Sequence, residues 1–330
     1  MSSLSGTDGK KVLITGVAGF LGSNLTERLL GDGYAVVGVD DLSQGNLENL
    51  EPFRRHPRFR FEPLDVLDGP ALAAAGQGVQ SVVHFAAFKI PRYHTPLKTL
   101  EINTRGAENA LEAARRNHAR FVYGSTDDVY GKNPDTPFSE ESVLVMGESD
   151  VGRWSFAVSQ MYAEHLCFAY HEKYTLPVSI VRYFGGYGPR QIRGWWGGPT
   201  SVFIEQALKD DYLSIHGNGT QTRSFCYVTD MIEGTVRVLE SPKAVGEIFN
   251  IGNPNEVSMI DLAYTVWGLS GNDNKPKLDF VDYTEFSAKY EDVKRKTPDI
   301  TKARFMLGFE PRTSLIDGLR LTIDWHKRAT

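Results

Sequence analysis

The chain has 330 residues, 41% of them hydrophobic, enough for a sizeable core and for more than one typical domain. Its net charge of −5 gives no electrostatic case for binding nucleic acid or an anionic membrane. The N-terminus MSSLSGTDGKK lacks the apolar run of a secretory signal, no segment approaches membrane-spanning length, and Cys167 and Cys226 have no metal-ligand spacing, so the expectation is a cytoplasmic protein without a metal site and with two buried thiols.

Val12–Ile14 is a short apolar run suited to a buried parallel strand, and helical spacing begins at Phe20. Between them lie Gly16, Gly19 and Gly22, spaced G-x-x-G-x-x-G, with Phe20 and Leu21 opening the helix. Such a turn lets backbone approach a pyrophosphate at a helix N-terminus, whose free N–H groups and dipole favour anions. The next strand, Ala35–Val39, ends in Asp40, where a carboxylate accepts ribose hydroxyls and repels a 2′-phosphate, which predicts NAD rather than NADP. Strands follow near Arg58–Phe61 and at Ser81–Phe85, then a long helix at Pro96–Arg116, a strand at Arg120–Ser125, a helix at Ser155–Tyr174 and a strand at Val178–Tyr183. This alternation predicts an α/β fold, a doubly wound parallel sheet with ligands beyond the carboxyl ends of its strands.

From Gly185 the texture changes. GGYGPRQIRGWWGGPT predicts a long loop over a ligand, with Trp195 and Trp196 either stacking on it or forming an apolar lid. Shorter elements follow at Val202–Leu208, Asp230–Leu239, Gly246–Ile251, Met259–Leu269 and Ser314–His326, with a polar turn at Gly268–Lys277 and a charged, mobile stretch at Asp282–Lys296. The expected division is a dinucleotide-binding domain over residues 1–185, with a return segment near 226–251, and a smaller α/β substrate domain over 186–330.

Collected in order, TGVAGFLG at Thr15–Gly22, VDDLSQGN at Val39–Asn46, LDVLD at Leu64–Asp68, HFAA at His84–Ala87, STDDVYG at Ser125–Gly131, YGPRQ at Tyr187–Gln191, QTRSFCYVTD at Gln221–Asp230, FNIGN at Phe249–Asn253 and PDITKAR at Pro298–Arg304 resemble the extended short-chain dehydrogenase/reductase family. The resemblance, to its NAD-dependent nucleotide-sugar epimerases and dehydratases, covers nearly the whole chain and implies a Rossmann-type fold. It also implies a recycled NAD, transient oxidation at the sugar C4, a UDP- or dTDP-linked substrate, and a homodimer built on the two long helices. By the same resemblance, Asp41, Ser43 and Asn46 lie near the adenosine ribose, Asp65 and Val66 at the adenine, and Ala86 and Ala87 along the cofactor. Arg190 and Arg223 match arginines near the substrate diphosphate, where the planar guanidinium fork suits phosphate oxygens. Each also reads as a surface ion pair.

Thr126 matches a hydroxyl that meets the sugar O4. Asp127 and Asp128 match the Asp-Glu acid and base of 4,6-dehydratases, the second one methylene short; they read equally as turn caps or as contacts to a substrate hydroxyl. Lys89, Arg92 and His94 follow a strand end and are either substrate contacts or an exposed basic loop. The arginine of uronate decarboxylases near the Pro298 block aligns with Lys296, and its neighbour Arg295 is the substrate-binding candidate.

The largest departure is in the family's Tyr-x-x-x-Lys pair, which falls on Phe156 and Gln160. Phenylalanine has no proton to exchange, and glutamine carries no charge, though it still hydrogen-bonds a ribose. Three readings follow: a binding module that has lost redox chemistry; another base among Asp127, Asp128, Tyr130 and Tyr162; or a trapped form of an active parent. Elimination is the first expectation, on Thr126-Asp127-Asp128. Nucleotide-sugar 4-epimerisation, UDP-glucuronate decarboxylation and non-catalytic binding are the alternatives.

Overall fold

The computed structural model describes residues 9–89, 95–285, 289 and 291–328. Arg92 and His94 lie outside the described residues. A seven-stranded parallel sheet organises the chain. In chain order its first six strands are β1 (Lys11–Thr15), β2 (Ala35–Asp40), β3 (Phe59–Pro63), β4 (Ser81–His84), β5 (Arg120–Thr126) and β6 (Val178–Tyr183). Helices α1 (Phe20–Gly31), α2 (Gly69–Ala75), α3 (Pro96–Arg116) and α4 (Trp154–Tyr174) connect them. The shortest of these, α2, has no signature in the sequence beyond its cap, Asp68, whose carboxylate accepts from Ala71 N at 3.0 Å.

After β6 come β7 (Gly186–Tyr187), α5 (Pro199–Leu208), β8 (Leu213–His216), β9 (Thr222–Ser224), β10 (Cys226–Tyr227) and α6 (Val228–Glu240). Next is β11 (Glu247–Ile251), which returns to pair in parallel with β6 and completes the sheet order β11-β6-β5-β4-β1-β2-β3. The chain ends with β12 (Glu256–Ser258), α7 (Met259–Ser270), β13 (Leu278–Val281), β14 (Arg295–Lys296), α8 (Thr301–Leu307) and α9 (Leu315–Arg328). The turn expected from Gly268 starts later, because α7 runs on to Ser270 and ends at Gly271 in the left-handed region.

Parallel strands covered by helices on both faces are buried and largely apolar, and β1 and β6 show it: Val12, Leu13, Ile14, Val178, Ile180 and Val181 are at most 1% exposed. The two apolar layers lie on opposite faces of the sheet. One holds Leu13, Val82, Phe121 and Ile180 against α2, α3 and α4. The other holds Ile14, Val83, Val122 and Val181 with α1, α6 and the C-terminal elements. Cys167 and Cys226 are buried free thiols, one in each layer. His84 is buried at the end of β4 with Nδ1 2.8 Å from Thr15 Oγ1, a structural role; loss of water pushes its imidazole down to about 4. No described helix is long and apolar enough to cross a membrane.

Candidate active site

Strand order reverses between β1 and β4, and the carboxyl ends of the strands open there into a continuous cleft. One end, about 120 Å³, is lined by Asp40, Asp41, Ser43, Asp65, Val66, Ala86 and Ala87. The middle, about 680 Å³, runs over Gly16, Gly19, Phe20, Leu21 and Gly22 and is bounded by Asn46, Arg190, Trp196 and Trp325. The far end, about 410 Å³, is lined by Lys89, Thr126, Asp127, Asp128, Arg153, Phe156, Gln160, Arg223, Asp292 and Lys296.

The glycine turn is shaped by contact. Gly16 has φ +71°, and a Cβ there would meet Ala86 N at 2.8 Å. At Gly22 a Cβ would meet Gly16 O at 2.1 Å, so the helix lies against its own turn. Asp40 is 8% exposed, and its two oxygens accept from Ala18 N and Leu42 N, both at 2.9 Å. Burial raises its pKa, and these two bonds oppose the rise. Asp65 caps its own turn by accepting from Leu67 N at 2.9 Å while also lining the small end of the cleft, so the cap and cleft readings are both satisfied.

Thr126 ends β5 and caps a short turn, accepting from Asp128 N at 3.2 Å and donating to Asp127 Oδ1 at 3.3 Å. Behind it, Ser125 Oγ donates to Glu164 at 2.5 Å, and Glu164 forms a two-pronged buried pair with Arg182 at 2.6 and 2.9 Å. That network ties β5, α4 and β6 together and fixes where Thr126 and Asp127 emerge. Lys296 Nζ lies against Asp128 and 3.4 Å from Asp127 Oδ1, with its side chain 8% exposed. Arg153 reaches Asp128 at 3.7 Å and Asp292 at 2.7 Å, and Arg223 reaches Asp292 at 3.1 Å. Burial raises Asp127. Asp128 is also buried, but Lys296 and Arg153 bring it down to about 2.

Several expectations change here. Arg295 does not enter the cleft: it pairs with Glu256 at 2.5 Å on the exposed side, while Lys296 points in. Successive side chains of a strand face opposite ways, and β14 aligned with β9 selects Lys296. Arg190 keeps both of its expected readings: it lines the middle of the cleft beside the glycine turn and is ion-paired with Glu27 at 2.5 Å, with Ser23 O at 3.2 Å. The stretch Asp282–Lys296 is not a loose segment where described, because Asp292 holds Arg153, Arg223 and the Tyr283 hydroxyl, and Lys296 holds the two aspartates. Arg153 and Asp292 carry no local sequence signal; they meet across 139 positions of chain.

Phe156 is 8% exposed and forms part of the cleft wall. Gln160 is buried beside it and accepts from the Tyr123 hydroxyl at 2.9 Å. Of the four other candidate bases, Tyr130 is buried and donates to Asn250 at 2.7 Å, and Tyr162 is 48% exposed outside the cleft lining. Only Asp127 and Asp128 face the cleft. At Gly185, φ is +49° and a Cβ would meet Ser224 O at 1.9 Å, so no side chain has room there. Trp195 stacks on His216 with ring centroids 3.7 Å apart, whereas Trp196 faces the middle of the cleft.

The sequence model of the GDP-mannose 4,6 dehydratase family matches residues 13–322. The UDP-N-acetyl-alpha-D-glucosaminuronate decarboxylase of Bacillus cytotoxicus is 34% identical over 324 residues, 96% of this chain and 98% of that one. UDP-glucuronic acid decarboxylase 6 of Arabidopsis thaliana is 37% identical over 317 residues, 94% of this chain and 87% of that one. The chain belongs to the extended short-chain dehydrogenase/reductase family of nucleotide-sugar enzymes. The crystal structure of UDP-glucuronic acid 4-epimerase from Bacillus cereus, in complex with UDP-glucuronic acid and NAD, superposes with a TM-score of 0.87 at 32% identity, covering 97% of this chain and all of that one.

The cofactor of this family is NAD. The cleft fits it on its own chemistry: a turn with no room for side chains at the helix N-terminus, and a buried carboxylate at the end of β2 with lone pairs left for two hydroxyls. Among the described residues, no cluster of side chains could hold a metal ion.

Proposed function

We propose that this chain holds NAD and converts a UDP- or dTDP-linked sugar that carries a carboxylate, through transient oxidation at the sugar C4. The observation that carries the reading is the charge of the sugar end of the cleft. Four cations, Lys89, Arg153, Arg223 and Lys296, line it against three carboxylates, Asp127, Asp128 and Asp292. A cleft with more cations than carboxylates attracts an anion, and a uronate and a diphosphate would supply it; Lys89, the cation in excess, is exposed at its mouth. The relatives named for UDP-glucuronic acid and UDP-N-acetylglucosaminuronate support the same class.

Asp40, the glycine turn and the free N–H groups of α1 would hold the dinucleotide, with Asp65, Val66, Ala86 and Ala87 around the adenosine. When bound, NAD supplies a reversible hydride acceptor. Thr126 orients the sugar hydroxyl, Lys296 and Lys89 hold the sugar carboxylate, and Arg223 with Arg153 holds phosphate oxygens. Decarboxylation suits this arrangement because it needs the carboxylate held beside the C4 ketone, and 4-epimerisation suits it because the same cations select a uronate, the ring then turning its other face before the hydride returns. Elimination of water would need Asp128 as a free base, and Lys296 and Arg153 occupy it. The exposed side chains Leu97 on α3 and Val158 and Tyr162 on α4 support a homodimer through these helices. A second reading, a binding module without turnover, is favoured by Phe156 and Gln160. The test is incubation with NAD and a panel of UDP- and dTDP-sugars, followed by mass spectrometry and NMR. Loss of carbon dioxide marks decarboxylation, an unchanged mass with inverted C4 marks epimerisation, and no product from any bound sugar supports the binding module.

A further inference from the structure

Oxidising a hydroxyl requires a group that takes its proton, and the cleft narrows the choice. Tyr183 lines it, but its hydroxyl shares a 2.6 Å hydrogen bond with Thr235 and burial pushes its phenol up. The imidazole of His216 is stacked against Trp195. Asp292 is held by two arginines and by the Tyr283 hydroxyl. Asp128 is clamped by Lys296 and Arg153, which makes it a weak base. Asp127 differs from all of these. It has one cation at 3.4 Å and the Thr126 hydroxyl at 3.3 Å, both on Oδ1, and its second oxygen has no partner among the described residues.

We propose that Asp127 is the proton acceptor for the sugar hydroxyl, with Lys296 as the cation that stabilises it and its neighbour Asp128 in turn. The proposal rests on the nucleotide-sugar reading above. The proton passes to Asp127 Oδ2, the O–H bonding pair becomes the second carbon–oxygen bond, and the hydrogen on that carbon leaves with its pair as hydride to NAD. Reduction returns the hydride to carbon and the proton to oxygen. Phe156 then serves as an apolar wall that keeps water from the carboxyl, and Gln160, pinned by Tyr123, needs no charge.

The charged groups that face Asp127 set its behaviour. Asp128 lies beside it, Lys296 comes from β14, Arg223 from β9, and Lys89 from the segment after β4. Burial and Asp128 raise it, whereas Lys296 and Arg223 lower it, and the balance is upward. A raised carboxyl is a stronger base than an ordinary one once ionised, which suits proton abstraction near neutral pH.

The experiment compares the NAD-loaded wild type with Asp127→Asn and Asp127→Glu. Carboxyl carbons labelled in aspartate are titrated by NMR, and turnover of UDP-glucuronate and binding of UDP are measured alongside. Besides Asp40, which burial also raises, we expect an aspartate carboxyl titrating above the ordinary value of about 3.9, absent from Asp127→Asn. We also expect a loss of at least about a hundredfold in turnover for Asp127→Asn, with UDP binding retained, and partial recovery in Asp127→Glu. Turnover by Asp127→Asn within tenfold of wild type, or an ordinary titration for Asp127, overturns the proposal and leaves the functional reading standing. If Asp127→Asn fails to bind UDP, the wild-type titration and Asp127→Glu decide. A wild type that converts no nucleotide sugar overturns both.

Discussion

Replacing Lys296 by methionine removes the cation between Asp127 and Asp128 while keeping most of the apolar stem. At 3.4 Å from Asp127, a unit charge contributes about 5 kcal/mol of gross attraction at an effective dielectric of about 20. The net loss is smaller, because Lys296 itself was taken out of water. Stranding a buried ionised partner costs about 3–5 kcal/mol, and Arg153, 3.7 Å from Asp128, offsets part of it. We expect Lys296→Met to lose about 3 kcal/mol of unfolding free energy near pH 7, measured by urea denaturation. The pH dependence has a definite sign. In the wild type, Asp128 titrates at about 2, below its unfolded value, so the stabilisation it brings is present above about 4 and is lost as pH falls toward 2. In the variant both aspartates lose their cation and rise, so they protonate first and relieve the stranded charge. The gap between variant and wild type therefore narrows on acidification from pH 7 to 5. A variant within about 0.5 kcal/mol of wild type at pH 7, or a gap that widens with acid, would refute the assignment of Lys296 to this pair.

Asp40→Ala should weaken NAD binding by about 1.5–3 kcal/mol, on the order of tenfold to a hundredfold, through lost charge-assisted bonds to ribose hydroxyls; calorimetry with unchanged affinity would remove Asp40 from that role. The double change Phe156→Tyr with Gln160→Lys should not raise turnover if Asp127 handles the proton, and a tenfold gain would show that the conventional relay was the missing part. His84 titrates at about 4 when folded and near 6.5 when unfolded, so it contributes stability above pH 6.5 that is lost as pH falls toward 4, about 3 kcal/mol in all. A stability profile flat between pH 6.5 and 4 would contradict its burial as a neutral ring. Arg295→Ala should leave UDP-glucuronate turnover within about twofold, because its partner is Glu256 outside the sugar end of the cleft; a tenfold drop would return Arg295 to the site.

The nucleotide half of the cleft was legible in the sequence because its parts are local. A strand, a glycine turn and a helix follow one another within Lys11–Gly31, and Asp40 closes the next strand. Thr126, Asp127 and Asp128 were legible for the same reason, as one run at the end of a strand. The sugar half was less so. Lys296 and Arg295 are adjacent, and only the pairing of a two-residue strand with β9 decides which of them faces inward. Arg153 and Asp292 come together from distant segments, and no spacing rule announces such a pair. The Glu164–Arg182 bridge is likewise a property of α4 lying over β6, not of either segment alone. The expected mobility of Asp282–Lys296 rested on its charge, and those charges are instead what fix Asp292 and Lys296 in the cleft.

The central claim is that this cleft turns over a carboxylate-bearing nucleotide sugar with NAD although Phe156 and Gln160 stand where the family has tyrosine and lysine. Incubation of the wild-type protein and NAD with UDP-glucuronate, alongside UDP-glucose and dTDP-glucose, with products read by mass and NMR, tests it directly. The account predicts conversion of the uronate, by loss of carbon dioxide or inversion at C4, in preference to the neutral sugars. Turnover of a neutral sugar with the uronate untouched, or no product from any of the three, would contradict it.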